Sequence, residues 1–339
     1  MARSERKPRS PRPTGKNQRK RTLPDPAHPN GTIDRDASVY STLTDAQKDK
    51  IQSIIDGADP NVAAIYLENE GRLKLLDGKH KGSAFYSPAF DGVYLNVKET
   101  LDDENGETWF HEFGHQIDYM TKMSPDYSTL EFSARTQGFI DAIEHDVSTF
   151  LASSEVREWS MSRVDQIIKT RHENYEAEIE LGFRTRNPED DGRIRRGTVN
   201  AVKNSGYIGE RERKRLLSMD LEGMTQSEFE DAVRQNIKPN AGTRNVAACN
   251  VLRAERTESG GRGMAEVSDI FDGQTKGAVN AGWGHKNAYW ADRDNLPIEA
   301  YANMSASSMV GGESAVLMQK YFPTAYNEFQ KLVSRKRGA

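Results

Sequence analysis

Residues 108–119 of the 339-residue chain run Thr108-Trp109-Phe110-His111-Glu112-Phe113-Gly114-His115-Gln116-Ile117-Asp118-Tyr119, a helix pattern with two histidines one turn apart. Phe110, Phe113, Ile117 and Met120 recur at helical spacing and make one apolar stripe. The acidic run before them, Asp102-Asp103-Glu104-Asn105-Gly106-Glu107, suits a helix N-terminus, where carboxylates complement the dipole. On such a helix His111 and His115 share a face, so both imidazoles can hold one ion at about 2.1 Å. Glu112 sits one position along, where its carboxylate can take a proton from a water activated beside that ion. The HExxH spacing thus predicts a metal centre with His111 and His115 as ligands and Glu112 as general base. The single cysteine, Cys249, cannot build a thiolate cluster, so His and carboxylate donors must suffice and zinc is the expected cofactor.

Two imidazoles need a third protein donor. Downstream candidates are Glu266, Asp269, Asp272, His285 and Glu299, with Glu299 favoured and Asp269 next. In Leu296-Pro297-Ile298-Glu299-Ala300-Tyr301-Ala302-Asn303, Pro297 marks a helix start, and Ala300 and Ala302 permit close approach to the HExxH helix. Asn303, four residues past Glu299, points the same way and can hold a metal-bound imidazole through its free N–H. Asp118 either orients a ligand from behind or is a charge on an exposed face. His285 lies in a Gly-rich loop, as a substrate contact or a surface residue. Tyr289 and Trp290 are loop anchors or substrate contacts.

Outward from the motif, a helix is expected over residues 44–56, capped by Thr42 or Thr44, with Ile51, Ile54 and Ile55 inward. Ser83-Ala84-Phe85-Tyr86 and Val93-Tyr94-Leu95-Asn96-Val97 read as two strands about a Pro88–Gly92 turn, with Val93, Leu95 and Val97 on one face. Residues 124–263 are charged and mostly helical in pattern, with breaks expected at Asn187-Pro188, Gly192, Gly206, Gly223 and Pro239. Ser259-Gly260-Gly261-Arg262-Gly263 reads as a loop. A final helix is expected over residues 314–333.

Charge is unevenly placed. Residues 1–22 hold nine Lys/Arg against Glu5, leaving 38 basic and 50 acidic residues for the rest. This Pro-containing basic arm, with the stretch to residue 36, reads as a disordered tail that solubilises the chain or makes weak nucleic-acid contact. No run of about 18 apolar residues exists to span a membrane. The basic N-terminus has no apolar segment behind it, which argues against a secretion signal.

Val267-Ser268-Asp269-Ile270-Phe271-Asp272-Gly273, Gly282-Trp283-Gly284-His285, Ala288-Tyr289-Trp290 and residues 296–303 follow the HExxH in order. This series resembles the zincin-type metallopeptidase domain at the C-terminus of bacteriophage minor head (head morphogenesis) proteins and, more distantly, the catalytic domain of anthrax lethal factor. The resemblance covers residues 82–122 and 264–332. It implies Glu299 as third zinc ligand, a polypeptide substrate, phage head proteins as partners, and a place in the virion or host cytoplasm. Lethal factor has a Tyr-Gly pair upstream of its ligand Glu, the Tyr assisting at the oxyanion. Here Trp283-Gly284-His285 stands instead, which passes that role to His285 or Tyr289.

The expected fold is α+β: a zincin-like core with a small sheet, an active-site helix and a large helical insertion. Its parts are a disordered tail (1–36), a first half with the HExxH helix (37–123), an insertion or lid (124–263) and a second half with the third ligand (264–339). Val93–Val97 is expected as the edge strand along which a peptide pairs. The expected function is zinc-dependent peptide hydrolysis. The alternatives are a structural or nucleic-acid-associated head component whose zincin domain does not cleave, and a host-directed toxin peptidase.

Overall fold

The computed structural model describes residues 30–76, 84–103, 105–121, 134–185, 187–259 and 261–336. The basic arm 1–22, Ser83 and Met120's side chain lie outside what it describes. Helix α1 (Asp45–Gly57) starts at Thr44, whose hydroxyl accepts the Gln47 N–H while the Gln47 side chain accepts the Thr44 N–H. Ile51 and Ile55 are its buried residues, together with Gln52. Helix α2 (Pro60–Asn69) starts at Asp59, which caps the Asn61 and Val62 N–H groups ahead of a fixed-φ proline.

Strands β1 (Phe85–Ser87) and β2 (Gly92–Tyr94) pair antiparallel, Tyr86 opposite Val93, and are the whole sheet among the described residues. The chain is therefore mostly helical, with one small hairpin where an α+β layer was expected. The strands are also shorter than expected. After Tyr94 the backbone enters a π-helical turn, Lys98–Asp103, so Val97 does not continue the strand face.

Nor is Val93–Val97 an edge. Val93 donates its N–H to the Lys74 carbonyl (2.9 Å) and accepts from the Leu76 N–H (2.8 Å), while its neighbours pair with β1. Both sides of β2 are occupied, and among the described residues β1 is the outer strand.

Helix α3 (Glu107–Thr121) carries the HExxH, with Trp109, Phe110, Phe113 and Ile117 buried. It is followed by α4 (Gln137–Leu151), α5 (Ser154–Glu180), α6 (Pro188–Asn204), α7 (Glu210–Leu217), α8 (Gln226–Gln235) and α9 (Ala241–Glu258). The break expected at Gly192 is absent: α6 runs through it, started by the Asn187 cap and Pro188. Helix α10 (Ala265–Thr275) leads through a Gly-rich loop to α11 (Asn295–Val310). The single helix expected over 314–333 is two, α12 (Gly312–Tyr321) and α13 (Pro323–Lys336). Pro323 supplies no N–H and bars helical geometry at Phe322, which sits at φ −129°, ψ 53°.

Two apolar cores result. The larger takes residues from α1 to α4 and from α9 to α13, so α4 and α9 pack with the chain's two ends. The smaller draws Val164, Ile168, Val199, Leu216, Phe229 and Val233, with their neighbours, from residues 164–237 alone. Helix α5 enters both, with Val156 in the first and Val164 in the second.

The site is set by the closeness of α3 and α11. Helix α11 is buried from Leu296 to Met309. A Cβ on Gly114 would stand 3.3 Å from the Ala302 Cα and 3.2 Å from the Ser305 Cβ. The glycine inside the HExxH and the small residues on α11 thus let the backbones approach, as the Ala302 spacing predicts.

Candidate metal centre

Helix periodicity puts His111 and His115 on the α3 face that meets α11, and their Nε2 atoms lie 3.2 Å apart. Glu299 enters from the first turns of α11, with Oε2 3.3 Å from His111 Nε2 and 3.4 Å from His115 Nε2. Ligands about 2.0–2.1 Å from a tetrahedral zinc stand about 3.3–3.4 Å from one another. The three atoms therefore outline one face of such a tetrahedron. His115 and Glu299 are buried and His111 is half-buried. Glu299 Oε2, the oxygen that faces both imidazoles, is buried with no hydrogen-bond partner, an orphaned acceptor that a cation would satisfy.

The electrostatics also ask for a cation. Burial alone would lower the His111 pKa, but the Glu299 carboxylate 3.3 Å from its Nε2 and the charges of Glu112 and Glu266 raise it to about 10. Burial would raise the Glu299 pKa, yet the His115 charge and the closeness of both imidazoles hold it well below the usual carboxylate range. The metal-free trio thus retains a proton where a divalent ion would sit. Glu112 is buried on the same helix, and its carboxylate accepts the Tyr86 N–H from the outer strand β1. Burial raises its pKa, partly offset by the two histidines. That is the direction a proton-accepting group near neutral pH needs.

The remaining candidates divide. Asp269 does not join the trio: its Oδ1 is 2.8 Å from His285 Nδ1, and its Oδ2 accepts from Asn303 Nδ2 at 3.1 Å. Asn303 does lie on the inner side of α11, but its N–H serves Asp269. The Tyr289 hydroxyl donates to Glu299 Oε1, placing the phenol at the site, and the His285 ring stacks on it at 4.3 Å and 18°. Trp290 is buried and anchors the loop through Nε1 to Asp272 Oδ2 (2.7 Å). Asp272 also accepts from Asn280 Nδ2, so it is a loop fastener and not a ligand. Gly284, at φ 156°, passes so close that a Cβ would stand 2.5 Å from Asp272 Oδ2.

Trp283, in the position of the expected phenol, lies under the Arg256 guanidinium (3.5 Å), and its carbonyl accepts from Ser268 Oγ. It holds the loop that delivers His285. Glu266 stands near His111, its pKa raised to about 8 by burial and then by the Glu107 charge. Asp118 is not a charge on an exposed face: it is fully buried and accepts the Ala134 N–H at 3.2 Å.

Sequence reasoning missed the partnership of Asp269 with His285 and the grip of the Tyr86 N–H on Glu112. Sixteen residues and a Gly-rich loop separate the first pair, and the second uses a backbone group, so neither leaves a spacing to find. No protein-family model matches the chain, and no curated protein or solved structure does either. The likeness to phage head peptidase domains therefore stands on the quoted motifs alone.

Proposed function

We propose that this chain is a zinc-dependent endopeptidase, with His111, His115 and Glu299 as ligands and Glu112 as the acid–base group. The observation that supports it is the trio's spacing, 3.2–3.4 Å between every pair of donor atoms. A zinc ion held there would supply Lewis acidity, activating a water and polarising the carbonyl it attacks.

The protein's own groups do the rest. Glu112, with its carboxylate oriented by the Tyr86 N–H, accepts the water's proton and returns it to the leaving amine. Tyr289, whose hydroxyl reaches Glu299 at Oε1 and not at the oxygen that faces the histidines, offers that hydroxyl to the developing oxyanion, and the His285 ring stacked on it meets the substrate alongside. Strand β1, outermost in the hairpin and in contact with Glu112, is the backbone along which an extended peptide would lie, in place of Val93–Val97. The division into two catalytic halves (37–123 and 264–339) and an inserted unit (124–263) belongs to the same proposal. So do phage head proteins as partners, nucleic-acid contact by residues 1–22, and a place in the virion or host cytoplasm. No helix among the described residues is long and apolar enough to cross a membrane.

The test is metal analysis and peptide-library cleavage on three proteins. Wild type should hold one zinc and cleave. Glu299→Ala should lose the metal. Glu112→Gln should keep zinc and lose at least about a hundredfold in kcat. Wild type that binds zinc and cleaves nothing would favour the non-cleaving head component, and unchanged zinc in Glu299→Ala would remove Glu299 from the centre.

A further inference from the structure

Beside the trio lies a second set of polar groups that the metal chemistry does not use. Asp269, buried on α10, has each carboxylate oxygen engaged: Oδ1 with His285 Nδ1 at 2.8 Å, and Oδ2 with Asn303 Nδ2 at 3.1 Å. Asn303 is fully buried one turn after Glu299 on α11, so the helix that delivers the third ligand also fixes Asp269. An ionised carboxylate only accepts hydrogen bonds, so the short contact places a proton on His285 Nδ1 and leaves Nε2 as the other working atom. The ring cannot turn freely, since it lies flat on Tyr289 and edge-on to Trp290 at 5.2 Å. Tyr289 is itself tied to Glu299. His285 keeps 39% of its side chain exposed, so substrate can reach it.

We infer that Asp269 is a positioning residue that acts through His285: it fixes the ring's tautomer and orientation so that Nε2 meets the substrate beside the metal centre. This rests on the peptidase proposal for its kinetic consequence, but not for its geometry. Asp269, His285 and Glu299 also have donor atoms within 4.8 Å of one another, the spacing of a second cation site. The 2.8 Å bond already satisfies Asp269 and His285, and the Tyr289 hydroxyl occupies Glu299 Oε1, which favours the hydrogen-bonded pair.

The experiment compares Asp269→Asn, His285→Ala and the double variant with the full-length wild type, each checked for zinc content. Asp269→Asn should keep one zinc and lose about a hundredfold in kcat with KM within about twofold. His285→Ala should lose a similar factor, and adding Asp269→Asn to it should cost nothing more, because a positioning residue has no effect without the group it positions. Ring 15N shifts of His285 in metal-free protein should show Nδ1 protonated in wild type and a move toward the Nε2–H form in Asp269→Asn. Additive kinetic losses, or unchanged 15N shifts, would overturn the inference. So would a second zinc in wild type that disappears in Asp269→Asn, since Asp269 would then be a ligand. Wild type that cleaves no peptide defeats the peptidase proposal instead, and the 15N shifts alone then decide the pairing.

Discussion

His111 is where proton and metal compete. Its folded-state pKa is raised to about 10 from 6.5, so in metal-free protein its contribution to stability is complete below pH 6.5 and is lost as pH rises through about 10. Glu299 shifts the other way, down from 4.5, so its contribution is present above pH 4.5 and is lost as acid protonates it. The metal-free site therefore stabilises the fold most between pH 4.5 and 6.5. The urea midpoint of metal-free wild type should fall from pH 6.5 toward 10 more steeply than that of His111→Gln. Zinc needs the neutral imidazole, so binding at pH 8 should expel about one proton from His111, and affinity should strengthen as pH rises. Calorimetry in two buffers of different ionisation enthalpy counts that proton; a count of zero would mean His111 is already neutral without metal.

At the scale of elements, the contact between α3 and α11 sets the ligand spacing, and Gly114 sets the contact. A valine there would drive its branches into the Ala302 backbone and the Ser305 side chain. Gly114→Val should cost about 1–3 kcal/mol of stability through overpacking and should weaken zinc binding by spreading His115 from Glu299. Denaturant midpoints and a zinc competition assay on the same protein measure both, and weakened folding with unchanged zinc affinity would separate the glycine from the site. Helix α3 was legible because metal chemistry imposes its His spacing and one-sided burial imposes its apolar stripe. Helix α11 was legible only through Pro297, the small residues and Glu299, since burial along its whole length erases any polar face. Helix α2 has no counterpart in the sequence reading for a related reason: Val62 to Tyr66 are all buried and give an unbroken apolar run. The strand at Val93 was over-read to Val97 because alternation in sequence continues where the backbone has already turned.

The whole molecule is built so that its two cores meet through α5, a helix about 40 Å long. Residues 164–237 bury their own apolar side chains, with Arg195 closing on the Leu221 carbonyl (2.7 Å) and Arg234 on Asp165 (2.8 Å). None of the metal-site side chains comes from that stretch; they stand on α3, α10, α11 and the loop before α11, all in the larger core's part of the chain. Damage to the smaller core should therefore stay there. Phe229 is 1% exposed at its centre, and Phe229→Ala should cost about 3–5 kcal/mol by leaving a cavity. Amide exchange should speed up across 164–237 while the amides of α3 and α11 keep their protection, and zinc content should remain at one per chain. Proteolytic nicking should likewise concentrate between α5 and α9. If α3 loses protection in step with α8, or zinc leaves with the smaller core, the chain unfolds as one unit, and residues 164–237 are part of what holds the metal centre together.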